Sequence, residues 1–484
     1  MPERHNSEVG IYSLPLTPYP SPRLRALPPL ALYIHIPWCV KKCPYCDFNS
    51  HEIPRQPVTT TELRYTSVQK SPRPRSRPGA SHAESRGHFN SHEIPRQPVT
   101  TTELRYASAQ KSPRPRSRPG ASHAESRGHF NSHEARGAIP EQEYFEALVA
   151  DLESALPQVW DRRIHSVFFG GGTPSIFQAK TIDAILAALR ARLLLEPYAE
   201  ITLEANPGTF EAEKFTAFRA AGVNRLSIGI QSFNPRHLKA LGRIHDGIEA
   251  RRAIEIAQRH FDNINLDLMY ALPGQSVEEA RQDIETAISF SPQHISAYHL
   301  TVEPNTLFHS YPPQLPDDES SAEMQEAIEH TLAAHGYEHY ETSAFALKGF
   351  QSRHNMNYWL FGDYLGIGAG AHSKISSAQK IIRQMRYKQP KEYMIQAAGG
   401  TPVQEEDEIA SRDLGFEFMM NSLRLTEGFP SGLFEERTGL PIVAVERQLN
   451  EAERRGLIVR DHRKIAPTLR GQRYLNDLLQ LFLP

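Results

Sequence analysis

The only three cysteines among the 484 residues lie close together, at Cys39, Cys43 and Cys46. An odd number of thiols on one short loop argues against a disulfide framework. Thiolates are soft ligands, and this CxxxCxxC spacing indicates an iron–sulfur cluster or zinc. Zinc would need a fourth protein ligand, for which His35 and His51 are candidates. A four-iron cluster on three thiolates would leave one iron open to a chelating substrate, and its chemical use is reductive cleavage of S-adenosylmethionine (SAM).

The residues around these cysteines resemble those of the radical-SAM superfamily. The aromatic Tyr45 comes directly before the last cysteine, and the flanking sequences read YIHIPWC and CPYCDFNSH. Both flanks are similar to the family of oxygen-independent coproporphyrinogen III oxidases and their relatives, the HemW heme chaperones. The resemblance implies a [4Fe–4S] cluster on the three cysteines, with SAM bound beside it.

Strand-like and helix-like segments alternate along the chain. The segments with strand character are Ala31–Ile36, Ile164–Phe169, Glu200–Leu203, Arg225–Ile230, Asn263–Met269 and His294–Thr301. This βα order predicts a parallel sheet with helices outside it, either open and doubly wound or an incomplete TIM-like barrel. The resemblance favours the second, so we expect an α/β fold with a six-stranded partial TIM-like (β/α)6 radical-SAM barrel. From about residue 379, helical segments and a short hairpin predict a small, mostly helical, winged-helix-like C-terminal domain.

A nearly perfect repeat lies between the cysteine loop and the first helix. Ser50–Asn90 and Ser91–Asn131 are both 41 residues long, and each carries a net charge of +4 with five prolines. This composition predicts disorder, and the alternative is a basic arm for nucleic acid or a membrane. The expected organisation is a flexible arm at 1–30, the first strand and cluster loop at 31–49, the duplicated insertion at 50–131, the barrel with a heme-motif region at 132–378, and the C-terminal domain at 379–484.

Polar and glycine-rich motifs follow the predicted strands, where α/β folds place their sites. A glycine turn, FGGGTPS, occupies residues 169–175, and Glu204 ends the next strand. An acid aimed at an apolar barrel mouth needs a partner. The resemblance implies that the residues matching the family's cofactor site bind SAM or a second SAM. The residues alone also allow an ordinary glycine turn and an Arg243–Asp267 ion pair. These cofactor-binding candidates are Tyr33, Tyr45, Gly171, Gly172, Thr173, Glu204, Gln231, Arg243 and Asp267.

A second motif, RHNMNYW, spans residues 353–359, and its spacing fits neither an amphipathic helix nor a strand. His354 could ligate a heme iron, and Tyr358 and Trp359 could pack on a porphyrin face. The residues alone favour a loop that its aromatic side chains anchor to the core. The resemblance favours heme binding by His354, Asn355, Tyr358 and Trp359, because HNxxYW marks the HemW group.

Phe48 stands where the coproporphyrinogen dehydrogenases of this family carry a further cysteine. We therefore expect a heme chaperone that transfers heme to an acceptor protein, with coproporphyrinogen III dehydrogenase as the alternative function. Dehydrogenase activity is not expected. The identity of the acceptor does not follow from the sequence.

The composition is that of a soluble protein, with a net charge of −2 and 39% apolar residues. The sequence contains no apolar run of about 18 residues, so we expect no transmembrane helix. The N-terminus has no signal-peptide pattern. We expect a cytoplasmic protein that does not bind nucleic acid. Peripheral contact with membrane heme proteins is compatible with this expectation.

Overall fold

The computed structural model describes residues 22–53, 138–209 and 212–484. The predicted arm up to residue 21 and the duplicated insertion from residue 54 onward lie outside these residues. Within the described ranges, no helix has both the length and the apolar character that crossing a bilayer requires.

One large sheet organises the part of the chain that is described. Seven neighbouring strands in it run parallel, in the spatial order Asp363–Ile367, Leu30–Ile36, Arg163–Gly171, Leu194–Ala205, Arg225–Gln231, Ile264–Tyr270 and His294–His299. The last six are the strands predicted from the sequence, and they are consecutive neighbours as the βα order requires. Asp363–Ile367 is an additional parallel strand that the sequence analysis missed.

Antiparallel strands extend the sheet at both sides, to twelve strands among the described residues. On one side lie His372–Ser376, Ile381–Arg386 and Val403–Glu408, and on the other Ala344–Ala346 and Glu338–Glu341. The sheet therefore continues through residue 408, beyond the predicted domain boundary at 379. The edge strand Val403–Glu408 is almost entirely exposed and acidic, so it lacks the alternation that marks a half-buried strand.

Helices cover one face of the parallel strands, and the opposite face is polar. Leu32, Ile34 and Ile36 are fully buried on one face of the central strand. The intervening Tyr33 and His35 lie on the other face, which we call the polar face. The helices of this region are Glu141–Val159, Ala179–Arg192, Ala212–Ala221, Pro235–Ala240, Gly247–Gln258, Val277–Ser289, Leu307–Ser310, Asp318–Ala334, Arg353–Trp359 and Pro390–Ala398. Capping boxes begin two of them, at Asp246 and Ser276, and fix where those helices start.

The C-terminal region packs around an apolar cluster that includes Phe418, Phe429 and Phe434 and that also contains Phe361 and Ile381 from the preceding region. Its helices are Ser411–Ser422, Leu433–Thr438, Glu446–Arg454, Leu469–Arg473 and Leu475–Gln480. Phe429–Pro430, Lys464–Pro467 and Ile458–Arg460 form a small antiparallel sheet, which contains the predicted hairpin. The last two helices meet at Tyr474, where the helical backbone is interrupted.

Candidate cluster and cofactor site

The cysteine loop begins where the central strand Leu30–Ile36 ends. Trp38–Cys39 forms a short parallel ladder with His51–Glu52, and the backbone N–H of Cys46 donates to the Cys43 carbonyl at 3.2 Å. The three thiols are free and half-buried. Burial raises the pKa of Cys39, and raises that of Cys46 to about 12. The Cys39 and Cys46 thiols therefore become thiolates most readily beside a strong positive partner, as iron supplies.

The hydrogen bonds of His35 decide against it as a fourth zinc ligand. Its Nδ1 is 3.1 Å from the Tyr33 hydroxyl, and its Nε2 is 2.9 Å from the Asn49 carbonyl. His51 does keep a buried Nε2 without a partner among the described residues. No group of three or more His, Cys, Asp or Glu side chains in the described ranges is arranged to hold a single metal ion. Three separated thiols on one loop fit an iron–sulfur cluster as a donor set.

The glycine turn lies directly against the cysteine loop. The N–H groups of Gly172 and Thr173 donate to the carbonyls of Ile36 and Trp38 at 2.7 and 2.8 Å. A Cβ on Gly172 would lie 2.4 Å from the Trp38 carbonyl oxygen, and one on Gly171 would lie 2.5 Å from the His35 ring. Both glycines are therefore required for this close approach. The backbone donors of Gly172 and Thr173 are occupied by the loop.

Two of the predicted cofactor residues contact cysteine sulfurs. Arg243 Nη1 donates to Cys43 Sγ at 3.6 Å, and Thr173 Oγ1 donates to Cys39 Sγ at 3.7 Å. Arg243 Nε is buried without a partner among the described residues. This orphaned donor beside the thiols fits a site that accommodates a further polar ligand.

Glu204 is the half-buried acid nearest the glycine turn. It accepts a hydrogen bond from the Gly171 N–H at 3.2 Å. Burial and the neighbouring Asp267 raise the pKa of Glu204 to about 8. Such a carboxyl becomes ionised most readily beside a cation, and the amino group and sulfonium of SAM both carry positive charge.

Asp267 lies on strand Ile264–Tyr270, two strands along the sheet from the strand of Glu204. Its carboxyl group accepts hydrogen bonds from two neighbouring side chains. Ser227 Oγ donates to it at 2.7 Å and Asn265 Nδ2 at 2.8 Å, and burial raises its pKa. No Arg243–Asp267 ion pair occurs among the described residues, because Arg243 instead reaches Cys43. Gln231 ends its strand at a φ of 68°, where the register with the next strand shifts. A left-handed backbone at a non-glycine residue is uncommon and often marks a functional position.

Tyr45 anchors the cysteine loop through apolar contacts. Its ring lies 6.3 Å from that of Phe308, whose backbone N–H donates to the Pro44 carbonyl at 3.0 Å. Burial, followed by the charge of Cys43, raises the pKa of Tyr45. The Tyr45 hydroxyl is therefore protonated, and its ring packs against Phe308.

The far side of the loop is held by Asn49, which the sequence analysis did not single out. Its side-chain amide donates to the carbonyls of Ala369 and Lys388 at 2.9 and 2.8 Å. The Tyr144 hydroxyl donates to the His35 carbonyl at 2.7 Å and accepts from the Ala369 N–H at 2.9 Å. The turn after the missed parallel strand thus supports the cluster loop.

The RHNMNYW motif forms a helix, Arg353–Trp359, which corrects the expected loop. Ser352 caps it, and Glu200 accepts from the backbone N–H groups of Arg353 and His354, both at 3.1 Å. A buried carboxylate at the start of the helix therefore compensates for the short and irregular apolar spacing.

His354 points into the protein and is only 2% exposed. Its Nδ1 is 3.1 Å from Ser166 Oγ, and its Nε2 has no partner among the described residues. Burial lowers its pKa to about 3. The imidazole is consequently neutral at physiological pH. Asn355 and Tyr358 are half-buried, and the Arg424 guanidinium lies 4.7 Å above the Trp359 ring.

The structure gathers most of the predicted cofactor residues at one end of the strands and places the heme motif at the other. Ser166 and Glu200, which contact the helix, lie before the carboxyl ends of their strands, whereas the cysteine loop follows such an end. A column of rings on the polar face joins the two regions. The ring centroids are 5.0 Å apart between His354 and Phe168, 6.3 Å apart between Phe168 and Tyr33, and 5.8 Å apart between Tyr33 and His35.

Known proteins are similar to this chain in sequence over nearly its whole length. The heme chaperone HemW of Haemophilus influenzae is 40% identical over 463 residues, which cover 94% of this chain and 98% of the relative. The chain belongs to the HemW family. HemW of Escherichia coli is 38% identical, covering 94% of this chain and 99% of its own length.

Two family models match separate parts of the chain, and a solved structure shares its fold. The Radical SAM superfamily matches residues 130–287, and the HemN C-terminal domain matches residues 409–474, directly after the large sheet ends. The solved coproporphyrinogen III oxidase HemN of Escherichia coli shares the fold, with a TM-score of 0.66 and 19% identity over 94% of this chain and 90% of that one. The radical-SAM family implies a [4Fe–4S] cluster and SAM.

Proposed function

We propose that this protein binds heme and transfers it to an acceptor protein, using a radical-SAM core as its scaffold. The observation that carries this proposal is the nearly full-length similarity to proteins named heme chaperones. The HNxxYW motif supports it, because the motif distinguishes the HemW group within the family. We expect the protein to act in the cytoplasm.

In this proposal, Cys39, Cys43 and Cys46 would hold the [4Fe–4S] cluster, and Glu204 would be one of the residues that bind SAM. The cluster, when bound, supplies the electron for reductive cleavage of SAM. The protein's own contribution is positioning. The glycine turn fixes the cysteine loop, and Glu204 offers a carboxyl to the positive groups of SAM.

His354 is suited to bind heme iron because it is neutral and has one free nitrogen. A metal-bound imidazole must be deprotonated at the coordinating atom, and a hydrogen bond at the other nitrogen fixes its orientation. Ser166 provides that bond to Nδ1, which leaves Nε2 for the iron. Since His354 is 2% exposed, heme reaches it only when helix Arg353–Trp359 moves. Tyr358 and Trp359 would then pack against the porphyrin.

A hemin titration of the His354→Ala variant tests this assignment. We expect heme affinity to fall at least tenfold while the cluster content stays that of the wild type. His294→Ala is the matched control, because His294 is also fully buried but both of its ring nitrogens are hydrogen-bonded, to Asn265 and Tyr340. Equal loss of heme binding in both variants, or none in His354→Ala, would place the iron ligand elsewhere.

A further inference from the structure

We infer that Asn206 is a positioning residue that sets the reduction potential of the cluster by holding Thr173 and Arg243 as hydrogen-bond donors to two cysteine ligands. This inference rests on the proposed cluster assignment to Cys39 and Cys43. Asn206 directly follows strand Leu194–Ala205 and is half-buried.

The side-chain amide of Asn206 joins the two donors. Its Nδ2 donates to Thr173 Oγ1 at 2.9 Å, and its Oδ1 accepts from Arg243 Nη2 at 2.5 Å. Beyond these contacts, Thr173 Oγ1 donates to Cys39 Sγ at 3.7 Å and Arg243 Nη1 donates to Cys43 Sγ at 3.6 Å. The chain of contacts therefore runs from one cysteine to another through a single amide.

The direction of each hydrogen bond follows from the chemistry of the groups. Because Thr173 Oγ1 accepts from the amide, its own hydrogen is free to point at Cys39 Sγ. Thr173 is 2% exposed, so water does not compete for that hydrogen. Arg243 has no acceptor atoms, so its Nη1 contact with Cys43 places an N–H on the sulfur. Arg243 Nη2 also donates to the Gly229 carbonyl at 2.7 Å, which holds the guanidinium plane.

An amide is the group that can perform both tasks, since it offers a donor to Thr173 and an acceptor to Arg243. Hydrogen bonds to cluster sulfurs stabilise the more negative, reduced cluster and so raise its reduction potential. Linked hydrogen bonds also strengthen one another in a low-dielectric site. Removing the amide should weaken both sulfur contacts together.

The test is a redox titration of the reconstituted, SAM-free protein with dithionite. The EPR signal of the one-electron-reduced cluster is measured at each step of the titration. In Asn206→Ala, we expect the reduction equilibrium to shift about tenfold toward the oxidised cluster, which is about 59 mV more negative for one electron. Thr173→Val removes the contact with Cys39 and the hydrogen bond from Asn206. It keeps the Arg243 contact with Cys43, so it should give a smaller shift in the same direction.

Asn224→Ala is the matched control. Asn224 is also half-buried and ties two strands together, through bonds of 2.8 Å to the Ile201 N–H and the Ala199 carbonyl, but it has no contact with a cysteine. An unchanged potential in Asn206→Ala, or an equal shift in Asn224→Ala, would overturn the inference. If Asn206→Ala fails to take up a cluster, the potential of Thr173→Val decides the question, and an unchanged potential in that variant would overturn the inference. Failure of the wild type to take up a cluster would instead refute the proposed cluster site.

Discussion

Deleting Ser50–Asn131 removes both repeat units and leaves the contacts of the cluster loop chemically unchanged. The structure shows why the first residues of the insertion matter: Ser50 is 5% exposed, the His51 N–H donates to the Pro37 carbonyl at 2.7 Å, and Glu52 accepts from the Lys42 N–H at 3.1 Å. After the deletion, the identical residues 132–134 follow Asn49 and can make the same contacts. We therefore expect the shortened protein to fold, assemble its cluster and bind heme.

The expected gain in stability follows from the entropy of loop closure. The segment between Glu52 and Pro140 shortens from 87 residues to 46 when one unit is removed and to 5 when both are removed. Because the closure cost grows with the logarithm of length, removing one unit should raise the free energy of unfolding by about 0.6 kcal/mol. Removing the second should add about 2 kcal/mol more.

Urea unfolding of the three proteins, with iron content and hemin affinity measured on each, checks this reasoning. Limited trypsin digestion of the full chain should cut first within residues 50–131, whose many Arg and Lys residues lie in a segment that the composition predicts to be disordered. A loss of stability or of the cluster on deletion, or protection of this segment from trypsin, would show that the insertion has a structural role.

Three further predictions concern the cluster and SAM site. Replacing any one of Cys39, Cys43 and Cys46 by Ala should abolish the cluster, measured as visible absorbance and about four irons per chain in the wild type; a full cluster in all three variants would refute the ligand set. Gly172→Ala should destabilise the protein by about 3 kcal/mol and reduce cluster uptake, because the new Cβ would lie 2.4 Å from the Trp38 carbonyl oxygen. Gly399→Ala serves as the control, because a Cβ there would have no atom nearer than 3.4 Å. Glu204→Gln should become more stable than the SAM-free wild type as pH rises from about 5 to 8, by roughly 2 kcal/mol in urea unfolding after allowance for partial exposure. The sign follows because the pKa of Glu204 is raised to about 8 in the folded protein, so ionisation costs stability there; a pH-independent difference would contradict it.

The cysteine loop and the order of the parallel strands could be predicted because both depend on local signals. Thiol spacing is read directly from the chain, and buried parallel strands are short apolar runs separated by amphipathic helices. Each predicted strand of the βα series is found, with its ends displaced by up to six residues. The C-terminal hairpin was predictable for the same reason.

The features that were missed depend on tertiary contacts. Helix Arg353–Trp359 is stabilised by Glu200, more than 150 residues earlier in the chain, so its own spacing does not reveal it. Strand Val403–Glu408 pairs at the edge of the sheet and carries no apolar stripe. Asn206 has a role only because Thr173 and Arg243, from two other loops, meet at its amide. No property of an isolated Asn after a strand indicates that.

The most direct test of the proposed function compares heme binding and turnover on one anaerobic, cluster-reconstituted sample. Hemin is titrated into one part, and the other part is supplied with SAM, reductant and coproporphyrinogen III. We predict saturable binding of about one heme per chain and no formation of protoporphyrinogen IX, since Phe48 replaces the additional cysteine of the dehydrogenases. Sustained protoporphyrinogen IX formation without saturable heme binding would contradict the account and favour the dehydrogenase.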